Sequence, residues 1–209
     1  VYKRQSYNSI LSYGDLIPLN IECEVSKLFD EIKEFSFAKY NPRKDIPRYG
    51  LSITSLDGSL NGVDLDSIKE YNKENNTNYD ELSFSTFTDV YHSSPEIQKI
   101  VEPFKNYIGR SHILNLPAGG YFPPHRDLPV YTEEQNSLRI LVPLKKCNPP
   151  HMYFMYENEP LHFDHGRAYF LNTNKSHNLF SFKDSYMIVL NVKTGEDVYK
   201  IIGNHFQAS

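Results

Sequence analysis

His125 and Asp127 stand two residues apart in Gly119-Gly-Tyr-Phe-Pro-Pro-His-Arg-Asp127, and His177 closes Asn174-Lys-Ser-His177 fifty residues further on. On an extended strand, positions i and i+2 face the same side, so one imidazole and one carboxylate converge. His177, just ahead of another strand-like run, can supply a third ligand. Two His and one carboxylate form the facial ligand set of non-haem ferrous oxygenases. Three protein ligands on one side of the metal leave three positions for an oxidisable cosubstrate and dioxygen. Arg126, between two ligands, must point to the opposite side, where it meets either an acidic substrate group at a pocket rim or a surface ion partner.

A second H-x-D occurs at His162-Phe-Asp164, with His165 directly after it. Only eleven residues separate His165 from His177, room for one strand and a turn. A ligand set spread over opposing strands of a closed double sheet needs several strands in between. The 125/127 pair has that room, so His162, Asp164 and His165 are expected in a polar loop.

The elements that must position these ligands follow Gly109, where the apolar period changes from 3.6 to 2. Residues 111–116, 138–144, 151–156, 167–171, 178–182 and 186–192 read as short strands, separated by turn formers such as Pro117-Ala-Gly-Gly120 and Asn148-Pro-Pro150. Many short strands at this spacing predict a sandwich or barrel. Tyr153 and Met155, alternating on one strand, are expected to fill it. Before Gly109 the chain reads as helical and irregular. Helices are expected over 24–35, 65–73 and 95–108, the last capped by Ser94, opened by Pro95 and kinked at Pro103. Asn72 to Asn78 reads as an exposed loop. Helices followed by strands give an α+β class. The 209 residues suit one domain, with 1–109 as support, 110–193 as the core and 194–209 as a C-terminal extension.

The ordered set Leu116-Pro-Ala-Gly-Gly120, His125-x-Asp127, Leu138-Arg-Ile-Leu-Val-Pro-Leu144, Gly166, Phe170-Leu-Asn172, His177 and a final apolar strand resembles the 2-oxoglutarate and Fe(II)-dependent dioxygenases. Within them it is similar to the aspartyl/asparaginyl β-hydroxylase-like and proline-hydroxylase-like branch, over roughly residues 110–193. The resemblance implies a double-stranded β-helix (jelly-roll, cupin-like) buttressed by N-terminal helices, with Fe(II) on His125, Asp127 and His177. It implies 2-oxoglutarate as cosubstrate, dioxygen, and hydroxylation of an amino-acid or peptidyl side chain, with proline or Asn/Asp as natural guesses. It also implies a base for the far carboxylate of 2-oxoglutarate. Ten residues past His177, where many members carry it, stands Met187. Lys183 resembles a basic-x-Ser arrangement but falls in a hairpin turn. Arg139, a lone charge in an apolar strand, is the stronger candidate, with a structural salt bridge as its alternative. Tyr121, Asn172 and Asn191 are further candidates for the cosubstrate or iron surroundings. Arg48, in Asp45-Ile-Pro-Arg-Tyr49, is a candidate on a substrate-side loop.

Composition bounds the alternatives. Aromatic residues make up 14%, as 16 Tyr and 13 Phe without Trp, and 22 Lys+Arg against 26 Asp+Glu leave a net charge of −4. That balance argues against a nucleic-acid partner. No apolar run approaches the ~20 residues of a bilayer span, and Val1-Tyr-Lys-Arg-Gln5 does not resemble a signal peptide. Cys23 and Cys147, read as free thiols, point to a soluble, cytoplasmic protein. A start at Val1 points to native sequence missing before it. Two competing readings remain: a non-catalytic cupin-like binding module, and a Zn-dependent hydrolase using the same three ligands.

Overall fold

In the long strand at 137–145, Leu138, Ile140, Val142 and Leu144 face one way while Arg139 and Leu141 face the other, and both sides are covered. That double burial sets the architecture: a sheet with helices on its outer face and a second sheet on its inner face. A computed structural model describes residue 7 and residues 9–127 and 136–206. The segment Val1 to Gln5 lies outside the described residues.

The chain runs β1 (Leu16–Glu22), α1 (Val25–Ile32), β2 (Ala38–Lys39), β3 (Tyr49–Ser52), β4 (Thr54–Ser55), α2 (Ile68–Asn75), β5 (Thr86–Phe87), α3 (Asp89–Ser93) and α4 (Pro95–Val101). Eight strands follow: β6 (His112–Leu116), β7 (Tyr121–His125), β8 (Ser137–Lys145), β9 (Met152–Tyr156), β10 (Glu159–Pro160), β11 (Arg167–Leu171), β12 (His177–Ser181) and β13 (Ser185–Lys193). The helix α5 (Glu196–Asn204) comes last. The larger sheet has the order β1-β11-β8-β13-β6-β3-β2 and the smaller β10-β9-β12-β7. Apart from the β9–β10 hairpin, which stays in the smaller sheet, strands β6 to β13 alternate between the two, which is the double-stranded β-helix. The fold is α+β.

The sequence boundaries of the six strands hold to within one residue at either end. The support half differs more. It is not only helical, because β1, β2 and β3 extend both edges of the large sheet. The helix expected over 95–108 is α-helical only to Val101; with Pro103 unable to donate its amide, Glu102–Tyr107 continues as a 3₁₀ turn. Ser94 does cap it, its Oγ accepting from the Ile97 amide at 3.2 Å. The segment expected over 65–73 splits into a 3₁₀ turn at Val63–Leu65 and α2. Asn72 is buried rather than part of an exposed loop: its Nδ2 donates to the Tyr79 carbonyl and its Oδ1 accepts from Thr77 Oγ1. Tyr153 and Met155 face away from the barrel; Met152, Phe154 and Tyr156 fill it, one register step away.

Two apolar layers result. The outer joins β1, α1, α4 and α5 to the back of the large sheet through residues such as Ile17, Leu28, Ile100, Phe104, Phe170 and Ile188. The inner lies between the sheets and contains Leu114, Leu141, Phe154, Leu179 and Met187. At about 1.5–3 kcal/mol for each large apolar side chain fully buried, these layers are the main stabilising term. The C-terminal segment packs on this core through Val198 and Ile202. Among the described residues, no helix is long and apolar enough to cross a membrane. Cys23 and Cys147 are not disulfide-bonded.

One buried group works against the fold. Asp64, in the 3₁₀ turn, is fully buried, and neither carboxylate oxygen has a hydrogen-bond partner among the described residues. Burial raises its pKa from 3.8 to about 6. A raised carboxyl pKa means that the folded state holds a proton the unfolded chain releases, so this stability is present in acid and lost as pH rises through about 6. Asp64→Asn is expected to stabilise by roughly 2–3 kcal/mol at pH 7.5, at about 1.4 kcal/mol per pKa unit, and by little near pH 4. Urea unfolding at the two pH values measures it; an equal effect at both would remove the buried charge as the cause.

Candidate metal centre

The antiparallel pairing of β7 with β12 places His125 directly across from His177, with a bulge between His177 and Leu179. Their ring centroids are 4.3 Å apart. Each ring is oriented by a main-chain carbonyl two residues earlier: His125 Nδ1 donates to Pro123 O at 2.7 Å and His177 Nδ1 to Lys175 O at 3.0 Å. A carbonyl only accepts, so both Nδ1 atoms carry the proton and both Nε2 atoms keep a lone pair for a metal. Asp127 follows β7, its amide donating to Thr173 O at 2.9 Å. One ligand atom from each of His125, Asp127 and His177 lies within 4.8 Å of the others.

The electrostatics suit a divalent cation. Burial pushes the Asp127 carboxyl up, but Arg139, helped by His177 and His125, holds it below its ordinary value. Burial lowers the pKa of His177, which keeps that imidazole neutral. Phe154 stacks against the His177 ring at 6.0 Å. Side-chain exposure falls from 36% at His125 through 24% at Asp127 to 14% at Arg139, so the centre opens on the His125 side and deepens toward Arg139.

Beyond the three ligands lies a cavity of about 120 Å³, lined on its polar side by Arg139, Arg110, Glu81, Asn191, His112 and Thr173. That is well above the ~10–15 Å³ that a single water needs, so the cavity is of small-molecule size. Arg139 is the hub. Its Nε stands 3.1 Å from Asp127 Oδ2 as an ion pair, its Nη1 donates to Asn191 Oδ1, and its Nη2 stands 3.7 Å from Glu81 Oε1. Glu81 in turn receives Arg110 Nε and Nη2 at 2.7 and 3.0 Å and Asn191 Nδ2 at 2.7 Å. Arg110 Nη1 donates to the Asp66 carbonyl at 2.9 Å. The donors of Arg110 are therefore directed at protein acceptors, whereas Nη2 of Arg139 has no hydrogen bond among the described residues.

The structure brings Arg139 and Asn191 into this cavity and leaves other sequence candidates outside it. Tyr121 is on the exposed outer side of β7; its neighbour Phe122 lines the cavity instead. Lys183 is exposed in the β12–β13 turn. Arg126 is exposed, as its position between the ligands requires. Asn172 is buried but acts from behind: it accepts from the Tyr7 hydroxyl at 3.2 Å, donates to Asp15 at 2.8 Å, and its carbonyl accepts from Tyr156 at 2.8 Å. These bonds fix the loop that carries Thr173 and leads into His177. Arg48 does not line the cavity; it lies behind Phe122 and Tyr40, which do. His162, Asp164 and His165 form an exposed loop away from the centre, as expected.

Glu81, Arg110 and His112 escaped the sequence reading. A lone arginine at the mouth of the first barrel strand was a usable signal. Glu81 had none, since its place depends on Gly109, where a Cβ would come within 2.6 Å of the Glu81 carbonyl. His112 is buried with Nδ1 unpartnered, and burial, aided by Arg110 and Arg139, lowers its pKa to about 3.

No family model matches this sequence, and no curated protein matches it. Among solved structures it is similar to a prolyl hydroxylase from Trichoplax adhaerens, in complex with a hypoxia inducible factor oxygen degradation domain peptide (13% identity, 98% of this chain and 94% of that one, TM-score 0.48). It is also similar to a Pseudomonas putida prolyl-4-hydroxylase (10%, 90% and 96%, TM-score 0.48). A third is an oxidoreductase of the 2OG-Fe(II) oxygenase family from Burkholderia pseudomallei (10%, 82% and 78%, TM-score 0.45).

Breaking a largely buried ion pair strands the remaining charge. Glu81→Ala is therefore expected to cost about 3 kcal/mol in urea unfolding. Tyr121→Phe, on the exposed face, should change stability by less than ~0.5 kcal/mol. Equal effects of the two substitutions would show that the Glu81 network is not a structural tie.

Proposed function

We propose that this protein is an Fe(II)- and 2-oxoglutarate-dependent oxygenase that hydroxylates an amino-acid or peptidyl side chain. The observation that carries this reading is that a three-donor metal face opens directly onto an arginine-lined cavity of small-molecule size. His125, Asp127 and His177 would hold the ferrous ion, which when bound supplies dioxygen activation coupled to oxidative decarboxylation of the cosubstrate.

The chain's own groups do the rest. With neutral imidazoles, Arg110 and Arg139 balance Glu81 and Asp127; a divalent cation adds two positive charges, which a small dianion offsets. The open Nη2 of Arg139 is the donor for its far carboxylate, and Glu81 and Asn191 hold that guanidinium in place. Asp127 divides its oxygens, Oδ1 toward the His125 side and Oδ2 on Arg139, so ligand and cosubstrate anchor are set relative to one another. Leu114, Leu141, Met187 and Val189 line the remaining wall and exclude water, which strengthens every charge interaction inside. Substrate enters from the His125 side; proline and Asn/Asp side chains are the first classes to assay.

Anaerobic titration with Fe(II) and then 2-oxoglutarate is expected to give the visible charge-transfer absorbance of a chelate, absent in His177→Ala. Arg139→Met should weaken 2-oxoglutarate binding at least tenfold. Succinate release should depend on both additions. A bound metal with no absorbance and no succinate would replace this reading with a hydrolytic zinc centre or a binding module.

A further inference from the structure

Among the described residues Arg48 is a buried charge with no counter-charge. The residue is 6% exposed, its Nε has no partner, and its side chain makes no hydrogen bond or ion pair among the described residues. By contrast Arg43, Arg110, Arg139 and Arg167 each pair with at least one carboxylate. The nearby Asp45 is fully exposed and faces Lys39 at 3.7 Å. What Arg48 does have is aromatic: its guanidinium lies 4.3 Å from the Phe122 ring centroid and 5.8 Å from that of Tyr40. Cation–π contacts contribute about 2 kcal/mol when desolvated. Desolvating a charge costs several kcal/mol, and Nε, shut off from solvent without a partner, carries part of that cost beyond what the rings return. Burial accordingly lowers the Arg48 pKa.

Its position gives the deficit a meaning. In β3, Gly50 pairs with Leu114 and Ser52 with His112, both of which line the cavity. Arg48, two residues before Gly50 and still in the β2–β3 ladder through the Tyr40 amide, shares that inward face. Gly120, where a Cβ would meet the Pro47 carbonyl at 2.5 Å, lets this segment close against the β6–β7 turn and carries the guanidinium onto Phe122. Phe122 is 6.2 Å from the His125 ring. Arg48 therefore stands one ring away from His125, on the exposed side of the metal face.

We propose that Arg48 is a carboxylate-binding site for the substrate, which anchors an acidic peptide or amino acid so that an aliphatic carbon reaches the metal face past Phe122. The word substrate rests on the oxygenase reading; the anion site does not. The carboxylate comes from a side chain in a peptide or from the α-carboxyl of a free amino acid, and the fork of the guanidinium fits either.

The test uses full-length protein saturated with Mn(II) and 2-oxoglutarate without dioxygen, the thermal shift of each addition being recorded first. The probes are then 4-methylpentanoate and its amide at matched ionic strength. The carboxylate is expected to raise the melting temperature and the amide not to. Its Kd should weaken at least tenfold in Arg48→Met and less in Arg48→Lys, which preserves the charge if the Met variant folds poorly. L-glutamine against N-acetyl-L-glutamate α-amide then separates an α-carboxyl anchor from a side-chain one. Equal responses to acid and amide, or unchanged carboxylate affinity in Arg48→Met, would overturn the proposal. Loss of the Mn(II) and 2-oxoglutarate shifts alone, with Arg48-dependent carboxylate binding intact, would sink the oxygenase reading and leave the anion site standing.

Discussion

A guanidinium placed between the two sheets of a β-sandwich must be met by negative charge, because an unpaired ion there costs several kcal/mol. Arg139 is that guanidinium, and its demands organise what surrounds it. On one side it takes an oxygen of Asp127 and so fixes a carboxylate that cannot be held by β7, which has already ended. On another it takes Asn191 of β13 and reaches Glu81, a residue of the N-terminal half. Glu81 brings Arg110 and, through it, the turn at 63–66. The support half and the barrel are thus joined by charge inside the cavity as well as by apolar packing behind the sheet.

The parts of the site that were legible in the sequence are those held by the main chain. His125 and His177 are each aimed by a carbonyl two residues back, and Asp127 by its own amide, so the neighbours' side chains need not announce the geometry. An H-x-D motif, a distant His and strands of period two were enough. Arg139 was legible for the opposite reason: a charge in an apolar strand is conspicuous. Asn172 was visible as a polar strand-end residue but not as a support, because its partners Tyr7 and Asp15 lie more than 150 residues away. The parity of Tyr153 and Met155 was misread because all five residues of β9 are apolar or aromatic, and period two then has no polar phase to set it. The N-terminal strands escaped for a related reason. Two-residue strands such as β2 are made by the edges they join, not by their own sequence.

Arg139, inside the cavity, and Arg48, behind its Phe122 and Tyr40 wall, differ in a way that bears on order of assembly. Arg139 is paired in the absence of any ligand, so its half of the cavity is preorganised, and a dianion arriving there must only complete a charge balance that the metal has upset. Arg48 is unpaired among the described residues, so its surroundings are destabilised until something negative arrives, and binding there returns stability to the fold. A preorganised inner site favours filling early at little conformational cost, while an unsatisfied outer one rewards only a ligand that carries charge to the right place. Rejection of neutral molecules at the mouth follows from the same physics: they would cover Arg48 from the remaining water while offering it no counter-charge.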